Sequence, residues 1–324
     1  MAARRTLLTG GSGFVGANLA RRLLARGDDV HLFLRPGHDR WRISDLAPHA
    51  QFHDIDLGEA EAVRETVARV APEQVFHLAA YGAYPSQNDL QSAVQTNIVA
   101  TVNLAMACIT AGVKAFVNAG SSSEYGLKDG PPSELDRVEP NSHYAATKAS
   151  STLMCRHLAR DAGLPAVTLR LYSVYGPFEE PSRLIPTLVL TALAGRLPAL
   201  AHPDIARDFI HVDDVCDAFT LVADHAGNTA GAIFNIGTGQ QTSLREAVDI
   251  ARRLFGVTLE PSWGSMPDRS WDTTVWVADP GSIKAELGWA SRTRFEDGLR
   301  GLADWFEAES GLRRRYAGRI GLTP

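Results

Sequence analysis

A glycine-rich turn between a predicted strand and a predicted helix constrains the fold more than any other feature. The apolar run Thr6–Thr9 leads into TGGSGFVG at Thr9–Gly16, and Phe14–Arg26 then carries apolar residues at helical spacing. Glycine has no Cβ, so backbone N–H groups can approach phosphate oxygens there, and the helix N-terminus adds partial positive charge. A P-loop would place Lys after the last glycine, where this chain has Ala17. The pattern predicts a dinucleotide-binding turn that opens a parallel sheet.

Short β-rich runs alternate with longer amphipathic runs through the first half of the chain. This alternation predicts βαβ units and a doubly wound parallel sheet. The predicted strands are Thr6–Thr9, Val30–Leu34, Gln51–His53, Val75–Leu78, Ala115–Asn118 and Ala166–Leu171. The predicted helices are Phe14–Arg26, Glu59–Val70, Leu90–Ala111 and His143–Arg160.

Proline becomes frequent after Tyr172, which indicates a second, smaller lobe. The alternation then returns in four segments, which are strand Asp208–His211, helix Asp213–Asp224, strand Ala232–Asn235 and helix Ser243–Phe255. We expect an α/β fold in two domains. The dinucleotide-binding domain covers residues 1–172 and is rejoined by 208–236, and a smaller, discontinuous mixed α/β domain covers 173–324.

Composition excludes several function classes. The formal net charge of −5 gives no general attraction to nucleic acid or to an anionic membrane. Cys108, Cys155 and Cys216 are widely spaced among apolar neighbours, so we expect buried core residues rather than disulfides or a metal clip. The histidines form no HExxH or HxH pair, so no metal is expected. No signal-peptide pattern or long uninterrupted apolar run is present, so a reducing cytoplasm is the expected location.

The residue that ends the second predicted strand bears on the cofactor. Dinucleotide sites commonly place an acidic residue there to hold the ribose hydroxyls, but Val30–Leu34 is followed by Arg35, with Arg40 and Arg42 close behind. A guanidinium is a forked, permanently charged donor that suits a 2′-phosphate. We therefore expect NADP(H) rather than NAD. NAD binding, with Arg35 on the adenine or in water, remains the alternative.

Tyr144 and Lys148 are four residues apart on a predicted helix, so their side chains project from one face. A neighbouring ammonium favours phenolate, which suits proton transfer beside a hydride transfer. Ser121 lies at the carboxyl end of a predicted strand, where α/β sites form, and would orient the reacting oxygen. A serine hydrolase is not indicated, because Gly120–Glu124 lacks the second glycine of a nucleophile elbow. An ordinary solvated helix face is the alternative reading of the Tyr–Lys spacing.

Taken together, the motifs resemble the extended short-chain dehydrogenase/reductases of the sugar-nucleotide epimerase/dehydratase group over nearly the whole chain. The matching segments are Thr9–Gly16, His77–Ala80, Thr96–Ala107, Ser121–Gly126, Tyr144–Lys148, Leu169–Pro177, Arg207–Val215, Asn235–Gly239 and Asp279–Trp289. The resemblance implies a Rossmann-type domain and a C-terminal domain that binds a nucleoside-diphosphate sugar. It also implies a homodimer packed through Leu90–Ala111 and His143–Arg160.

The resemblance also implies roles for individual residues. Those implied to line the cofactor, besides Arg35, are Gly10, Gly13, Phe14, Val15, Gly16, Asp54, Ile55, Ala79, Ala80, Asn97, Tyr144 and Lys148. The implied catalytic group is Ser121, Tyr144 and Lys148. Those implied to contact the substrate are Ser121, Ser122, Ser123, Ser173, Arg207, Arg269 and Asp272. The alternative for Arg207 is an ion pair with Asp208 or another neighbour.

Departures from the family pattern narrow the reaction. The 4,6-dehydratases of the resembled family carry an Asp–Glu pair after the catalytic Ser or Thr, and this chain has Ser122 and Ser123 there. Glu124 stands where the family usually has an apolar residue and receives no role. Ser173 stands where many relatives have Asn, which leaves the sugar open.

Three functions compete. The leading one is NADPH-dependent reduction of a nucleoside-diphosphate keto-sugar, at C4, with the proton supplied by Tyr144. The second is an NAD(P)-dependent C4 epimerase that works through a transient 4-keto intermediate. The third is a cofactor-sensing protein without chemistry, which has no need of Ser121, Tyr144 and Lys148 together.

Overall fold

The computed structural model describes residues 3–84, 86–266 and 273–322. Its strands are β1 (Arg5–Thr9), β2 (Asp29–Leu34), β3 (Gln51–Asp54), β4 (Gln74–His77), β5 (Ala115–Ser121), β6 (Ala166–Leu171), β7 (Ser173–Tyr175), β8 (Ala206–Arg207), β9 (Phe209–His211), β10 (Ile233–Ile236) and β11 (Thr242–Ser243). Its helices are α1 (Phe14–Ala25), α2 (Ala60–Val70), α3 (Leu90–Val94), α4 (Ala100–Ala111), α5 (His143–Asp161), α6 (Leu184–Leu193), α7 (Val212–His225), α8 (Leu244–Phe255), α9 (Gly281–Leu287), α10 (Phe295–Ala308) and α11 (Ser310–Arg319).

A seven-stranded sheet in the order β10-β6-β5-β4-β1-β2-β3 forms the centre of the molecule, and its ladders are parallel. Helices cover both faces, so the strands are buried on both sides, and every residue of β4 is buried. The direction of strand order reverses between β1 and β4, which opens a crevice at the carboxyl ends of these strands. The predicted α/β, Rossmann-type fold is confirmed.

The smaller lobe has its own core, in which α6, α8 and α10 pack together around residues such as Leu188, Val248 and Phe306. Two short two-stranded sheets, β7 with β9 and β8 with β11, connect this lobe to the central sheet. Within residues 208–236, α7 packs on α1, and β10 pairs with β6. The predicted strand at Asp208–His211 forms as β9 but pairs with β7, outside the central sheet.

The C-terminal helix α11 packs against the loop that follows β2. Tyr316 is fully buried, its hydroxyl donates to the Glu179 carbonyl at 2.5 Å, and its ring packs edge-on against Trp41 with centroids 5.9 Å apart. Arg315 forms an ion pair with Asp39 at 2.9 Å. The loop after β2 is thereby held by a helix of the smaller lobe.

The predicted helix Leu90–Ala111 is interrupted by a π-helical segment, Gln95–Val99. Asn97 within it is buried, and its amide bonds the Tyr81 backbone in both directions at 2.8 Å and donates to Thr147 Oγ1 at 2.8 Å. These long-range bonds favour the extra residue in the turn, which periodicity alone does not reveal. By length and mean hydropathy the Leu90–Ala111 region meets the criterion for a membrane span, and 44% of its most apolar 18-residue stretch is buried within the fold.

A chain of buried hydrogen bonds joins β1, β4 and α4 through an imidazole. His77 Nδ1 lies 2.8 Å from Thr9 Oγ1, and Nε2 lies 2.8 Å from Thr101 Oγ1. Thr101 donates its hydroxyl hydrogen to the Asn97 carbonyl, so it accepts from Nε2–H, and His77 is neutral with Nδ1 as acceptor. Burial lowers the pKa of His77 to about 3.

We expect Thr101→Val to cost about 1–3 kcal/mol of the free energy of unfolding, because it leaves the His77 Nε2–H buried without an acceptor. The matched control is Thr110→Val on the same helix, whose exposed hydroxyl bonds only a carbonyl of its own helix, Met106 at 3.1 Å. Urea denaturation measures both variants. Equal losses of stability would contradict the assignment.

The same imidazole makes stability depend on pH. Its pKa is about 3 in the fold and 6.5 in an ordinary environment, so the unfolded chain binds the extra proton between these values. We expect the contribution of His77 to be complete above pH 6.5 and to be lost as the pH falls toward 3. Urea midpoints across this range measure it, and His77→Gln, which binds no proton there, should flatten that part of the profile.

Candidate active site

The glycine turn brings β1, β4 and α1 together at backbone contact. A Cβ on Gly10, which has a φ of +69°, would lie 2.5 Å from the Leu78 carbonyl carbon, and one on Gly16 would lie 2.2 Å from the Gly10 carbonyl oxygen. Gly13 is the N-cap of α1 and offers no side chain to the N–H groups of the first turn. These N–H groups, with Phe14 and Val15 in that turn, form a cradle that fits the diphosphate of a dinucleotide.

The ends of β2 and β3 lie beside this cradle. Leu34 and Asp54 pair across the two strands, and Ile55, next in the chain, is buried. Arg35 is exposed, with its guanidinium 3.4 Å from His38 Nδ1. Asp54 forms an ion pair with Arg40, so the predicted adenine-side carboxylate is already matched by a cation.

The predicted nicotinamide side of the cradle is the loop after β4. The Ala79 N–H donates to Thr9 Oγ1 at 3.2 Å, and Ala80 is exposed beside it. Asn97, predicted to lie along the cofactor, holds the Tyr81 backbone of this loop with its amide. Asn97 therefore stabilises the loop after β4 through the backbone of Tyr81.

The predicted catalytic residues lie at the carboxyl end of β5 and at the start of α5. The strand predicted at Ala115–Asn118 extends to Ser121 in β5, and the Oγ of Ser121 accepts the Ser123 N–H at 3.2 Å. Tyr144 and Lys148 lie on successive turns at the start of α5, whose N-cap Ser142 accepts the Ala145 N–H at 3.1 Å. Lys148 is only 3% exposed. The structure thus brings the three side chains to one edge of the sheet.

The pKa values of Tyr144 and Lys148 are governed mainly by burial, whereas the sequence predicted that the Lys148 ammonium would lower the pKa of Tyr144. Burial raises the pKa of Tyr144, and the Ser121 hydroxyl, followed by the Arg183 guanidinium, acts to lower that pKa. Burial also lowers the pKa of Lys148, while Glu124 acts to raise it. The groups that favour the phenolate form of Tyr144 are therefore Ser121 and Arg183, whereas burial of Lys148 disfavours its own charged form.

Two of the predicted substrate residues, Ser122 and Arg207, lie beside Trp276. Trp276 donates its indole N–H to Ser122 Oγ at 3.2 Å, while Ser123 and Ser173 are half-buried nearby on the β5 turn and β7. The Arg207 guanidinium lies 5.7 Å from the Trp276 ring centroid and donates to the Ala206 carbonyl at 2.7 Å. Arg269 and Asp272 lie outside the described residues.

Asp208, considered as an ion-pair partner of Arg207, has another role. It is fully buried and its carboxylate accepts hydrogen bonds from Thr238, Gly239 and Ala278. These bonds tie the loop after β10, and the separate segment at Ala278, to the residue that follows β8, and they satisfy the carboxylate.

Sequence reasoning missed two residues at this site, Arg183 and Trp276, and left a third, Glu124, without a role. Arg183 donates to the Ala83 carbonyl at 2.6 Å and lies over the Tyr84 ring, 5.6 Å from its centroid. Trp276 covers Ser122, and Glu124 is fully buried beneath Ser121. Glu124 alone had a local signal, because a Ser followed three residues later by Glu is a capping box.

The family model for the NAD dependent epimerase/dehydratase family matches residues 6–237. The chain belongs to this family. The matched region contains the glycine turn, Ser121, Tyr144 and Lys148, so the resemblance inferred from the motifs is confirmed.

Two curated members of the epimerase/dehydratase family illustrate its range. The chain is 31% identical to the UDP-glucose 4-epimerase of Mycolicibacterium smegmatis, with 94% of this chain and 99% of that protein covered. It is 29% identical to a trifunctional UDP-glucose 4,6-dehydratase/UDP-4-keto-6-deoxy-D-glucose 3,5-epimerase/UDP-4-keto-L-rhamnose-reductase of Arabidopsis thaliana. That match covers 94% of this chain but 47% of the relative, so the chain spans about half the length of such proteins.

Among solved structures of the family, MoeE5 in complex with UDP-glucose and NAD superposes with a TM-score of 0.81 at 32% identity. The match covers 94% of this chain and 99% of MoeE5. A structural neighbour with NAD and a sugar nucleotide therefore shares the fold over nearly its whole length.

We expect Tyr144→Phe to lower kcat by about 10²- to 10⁴-fold, because it removes the proton-transfer group while preserving the ring. Cofactor binding, followed by quenching of tryptophan fluorescence, should remain close to that of the unmodified enzyme. Turnover at the unmodified rate would exclude Tyr144 as the proton-transfer group.

Proposed function

We propose that the chain reduces the 4-keto group of a nucleoside-diphosphate sugar with NADPH. The observation that carries the proposal is a site that places Ser121, Tyr144 and Lys148 at the edge of the sheet that also carries the glycine turn, with serines rather than an Asp–Glu pair directly after Ser121. Ser122 and Ser123 occupy the two places after Ser121, and Trp276 binds the first of them. Glu124 is fully buried and already bonded by Ser121 and Arg170, so it is not placed to act on a substrate.

The residues of the chain account for the proton part of this reaction. Bound NADPH supplies the hydride to the carbonyl carbon. Tyr144 donates its proton to the carbonyl oxygen, and Ser121 holds that oxygen from the other side. Lys148, one turn along α5 from Tyr144, would hold the cofactor ribose with its ammonium.

The choice of NADPH rests on the end of β2. Arg35 stands where an acidic residue would contact ribose hydroxyls, and its guanidinium is exposed at the mouth of the cradle. The preference for NADP(H) over NAD is proposed against the NAD seen in relatives such as MoeE5.

The sugar nucleotide would lie along the wall formed by Ser122, Ser173, Arg207 and Trp276. The arginine beside an indole supplies charge for a diphosphate and a flat apolar surface for a base or sugar. Bound UDP-glucose in a structural neighbour supports this substrate class.

The second candidate is a C4 epimerase, and it is favoured by the likeness to the UDP-glucose 4-epimerase of M. smegmatis. One assay separates the two functions. A nucleoside-diphosphate 4-keto-6-deoxy sugar and NADPH are mixed with the protein, and absorbance of NADPH and sugar products are followed. Stoichiometric loss of NADPH supports the reductase. Inversion of a sugar nucleotide by the carried cofactor, with no NADPH consumed, would replace the reductase by the epimerase.

We expect Arg35→Ala to raise the KM for NADPH about tenfold or more and to leave the KM for NADH nearly unchanged, because one charged contact to the 2′-phosphate is lost. Arg64→Ala is the matched control, since Arg64 is an exposed arginine on α2 paired with Glu61. Steady-state kinetics with both cofactors measure the effect. An equal change for NADPH and NADH would contradict a 2′-phosphate site at Arg35.

We also propose a homodimer, because apolar side chains on α3, α4 and α5 are exposed. Leu90 is 48% exposed, Met106 50% and Leu153 54%. A second copy would cover this face from the same elements, which is the self-complementary geometry of a two-fold dimer.

We expect the double variant Met106→Glu, Leu153→Glu to be a monomer, because like charges would face each other across the two-fold interface. Light scattering coupled to size exclusion measures the mass. Leu259→Glu, at another exposed leucine, is the control and should leave the dimer intact. A monomeric unmodified protein would refute the proposal.

A further inference from the structure

We infer that Glu124 is a positioning residue that fixes Ser121 and the face of α5 that carries Tyr144 and Lys148. Its carboxylate also supplies a negative charge that favours the charged form of Lys148. The inference rests on the proposed function, in which Tyr144 transfers a proton. It gives a role to the one residue of the β5 turn that the sequence left unassigned.

The contacts of Glu124 join three elements. Its side chain is fully buried, and Oε1 accepts the Ser121 N–H at 2.8 Å and the Thr152 hydroxyl at 3.0 Å. Oε2 accepts the Arg170 Nε–H at 2.8 Å. One carboxylate thereby connects the end of β5, the interior face of α5 and the end of β6.

Only a carboxylate satisfies this set of partners. The Ser121 amide and the Arg170 guanidinium are donors without acceptor capacity, and they approach opposite oxygens of the side chain. Glutamine would turn an NH₂ group toward one of them, so two buried donors would face each other. Gly120 also makes room for this carboxylate, because a Cβ there would lie only 2.8 Å from Glu124 Oε1.

The position of Thr152 relates this carboxylate to the chemistry. Thr152 lies four residues after Lys148 and eight after Tyr144 on α5, so the three side chains share one face of the helix. Glu124 therefore bonds the helix that carries Tyr144, one turn beyond Lys148 and about two turns beyond Tyr144. A shift of this carboxylate would move Ser121 and α5 relative to each other.

The charges around the group act in a defined direction. Glu124 acts to raise the pKa of Tyr144 and that of Lys148. The other charged or titratable groups are Arg183 and Tyr84 facing Tyr144, Cys155 and His77 facing Lys148, and Arg170 and Tyr125 beside Glu124. Arg183 opposes the effect of Glu124 on Tyr144, and Arg170 is already the ion-pair partner of the carboxylate. The charge of Glu124 thus acts against the effect of burial, which lowers the pKa of Lys148.

The test compares Glu124→Gln with Glu124→Asp. Glutamine keeps the length of the side chain and removes the charge, whereas aspartate keeps the charge and shortens the reach. Glu134→Gln is the matched control, because Glu134 is a half-buried carboxylate that accepts the Asn235 N–H at 2.8 Å and does not bond α5.

Ionisation of Tyr144 is followed without a substrate, by ultraviolet difference absorbance of the phenolate in the NADP⁺-bound protein. The spectrum of each variant is corrected with its Tyr144→Phe counterpart. We expect the titration to move to lower pH in Glu124→Gln and to stay in place in Glu124→Asp and Glu134→Gln. An unchanged or upward titration in Glu124→Gln overturns the role of the charge.

Turnover supplies the second measurement. With a keto-sugar nucleotide, we expect kcat to fall about tenfold or more in both Glu124 variants, because buried donors lose their acceptor. The cofactor KM should change little, and Glu134→Gln should match the unmodified enzyme. A kcat in Glu124→Asp equal to that of the unmodified protein overturns the positioning role. This variant also serves if Glu124→Gln does not fold.

Absence of turnover in the unmodified protein, with the phenolate titration shifted as expected, refutes the proposed function and leaves the charge role of Glu124 standing.

Discussion

Backbone contact between the first turn and strand β4 is the constraint on which the rest of the structure depends. Because Gly10 carries no Cβ, the turn lies directly against Leu78 and Ala79, and Gly16 lets α1 begin against the same turn. The crevice at the carboxyl ends of β1 and β4 is therefore narrow, and backbone N–H groups border it. A side chain at either glycine would separate the strand ends and widen that crevice.

The polar interior extends this constraint to the catalytic helix. Thr9, His77 and Thr101 bond in series, and Thr101 bonds the carbonyl of Asn97, whose amide reaches Thr147 on α5. The half of the crevice that would bind phosphate and the helix that carries Tyr144 thus share one buried hydrogen-bond network. Such a network is stable only when each member is satisfied, which favours one relative placement of the two halves.

The sequence was informative where local pattern decides structure. The strand–turn–helix at Thr9–Gly16 and the spacing of Tyr144 and Lys148 follow from chain periodicity, and both are present as expected. The π-helical segment around Asn97 was missed because its stabilising bonds come from Tyr81 and Thr147, which are distant in the chain. Arg183 and Trp276 were missed for the same reason.

The electrostatic expectation failed on a different ground. Spacing places Lys148 beside Tyr144, but it does not report how far each group is removed from water, and burial outweighs the other influences on both pKa values. The role of Glu124 had a local sign in the capping box with Ser121. Its bond to Arg170 required the pairing of β5 with β6, which only the folded chain provides.

The contact of α11 with the loop after β2 joins the smaller lobe to the cofactor side of the larger one. Tyr316 packs against Trp41, and Arg315 forms an ion pair with Asp39. Trp41 and Asp39 lie a few residues beyond Arg35. The far end of the chain is thus a mechanical anchor for the segment that would close over an adenosine. A substitution at Tyr316 or Arg315 would therefore loosen this segment without changing any residue of the glycine turn.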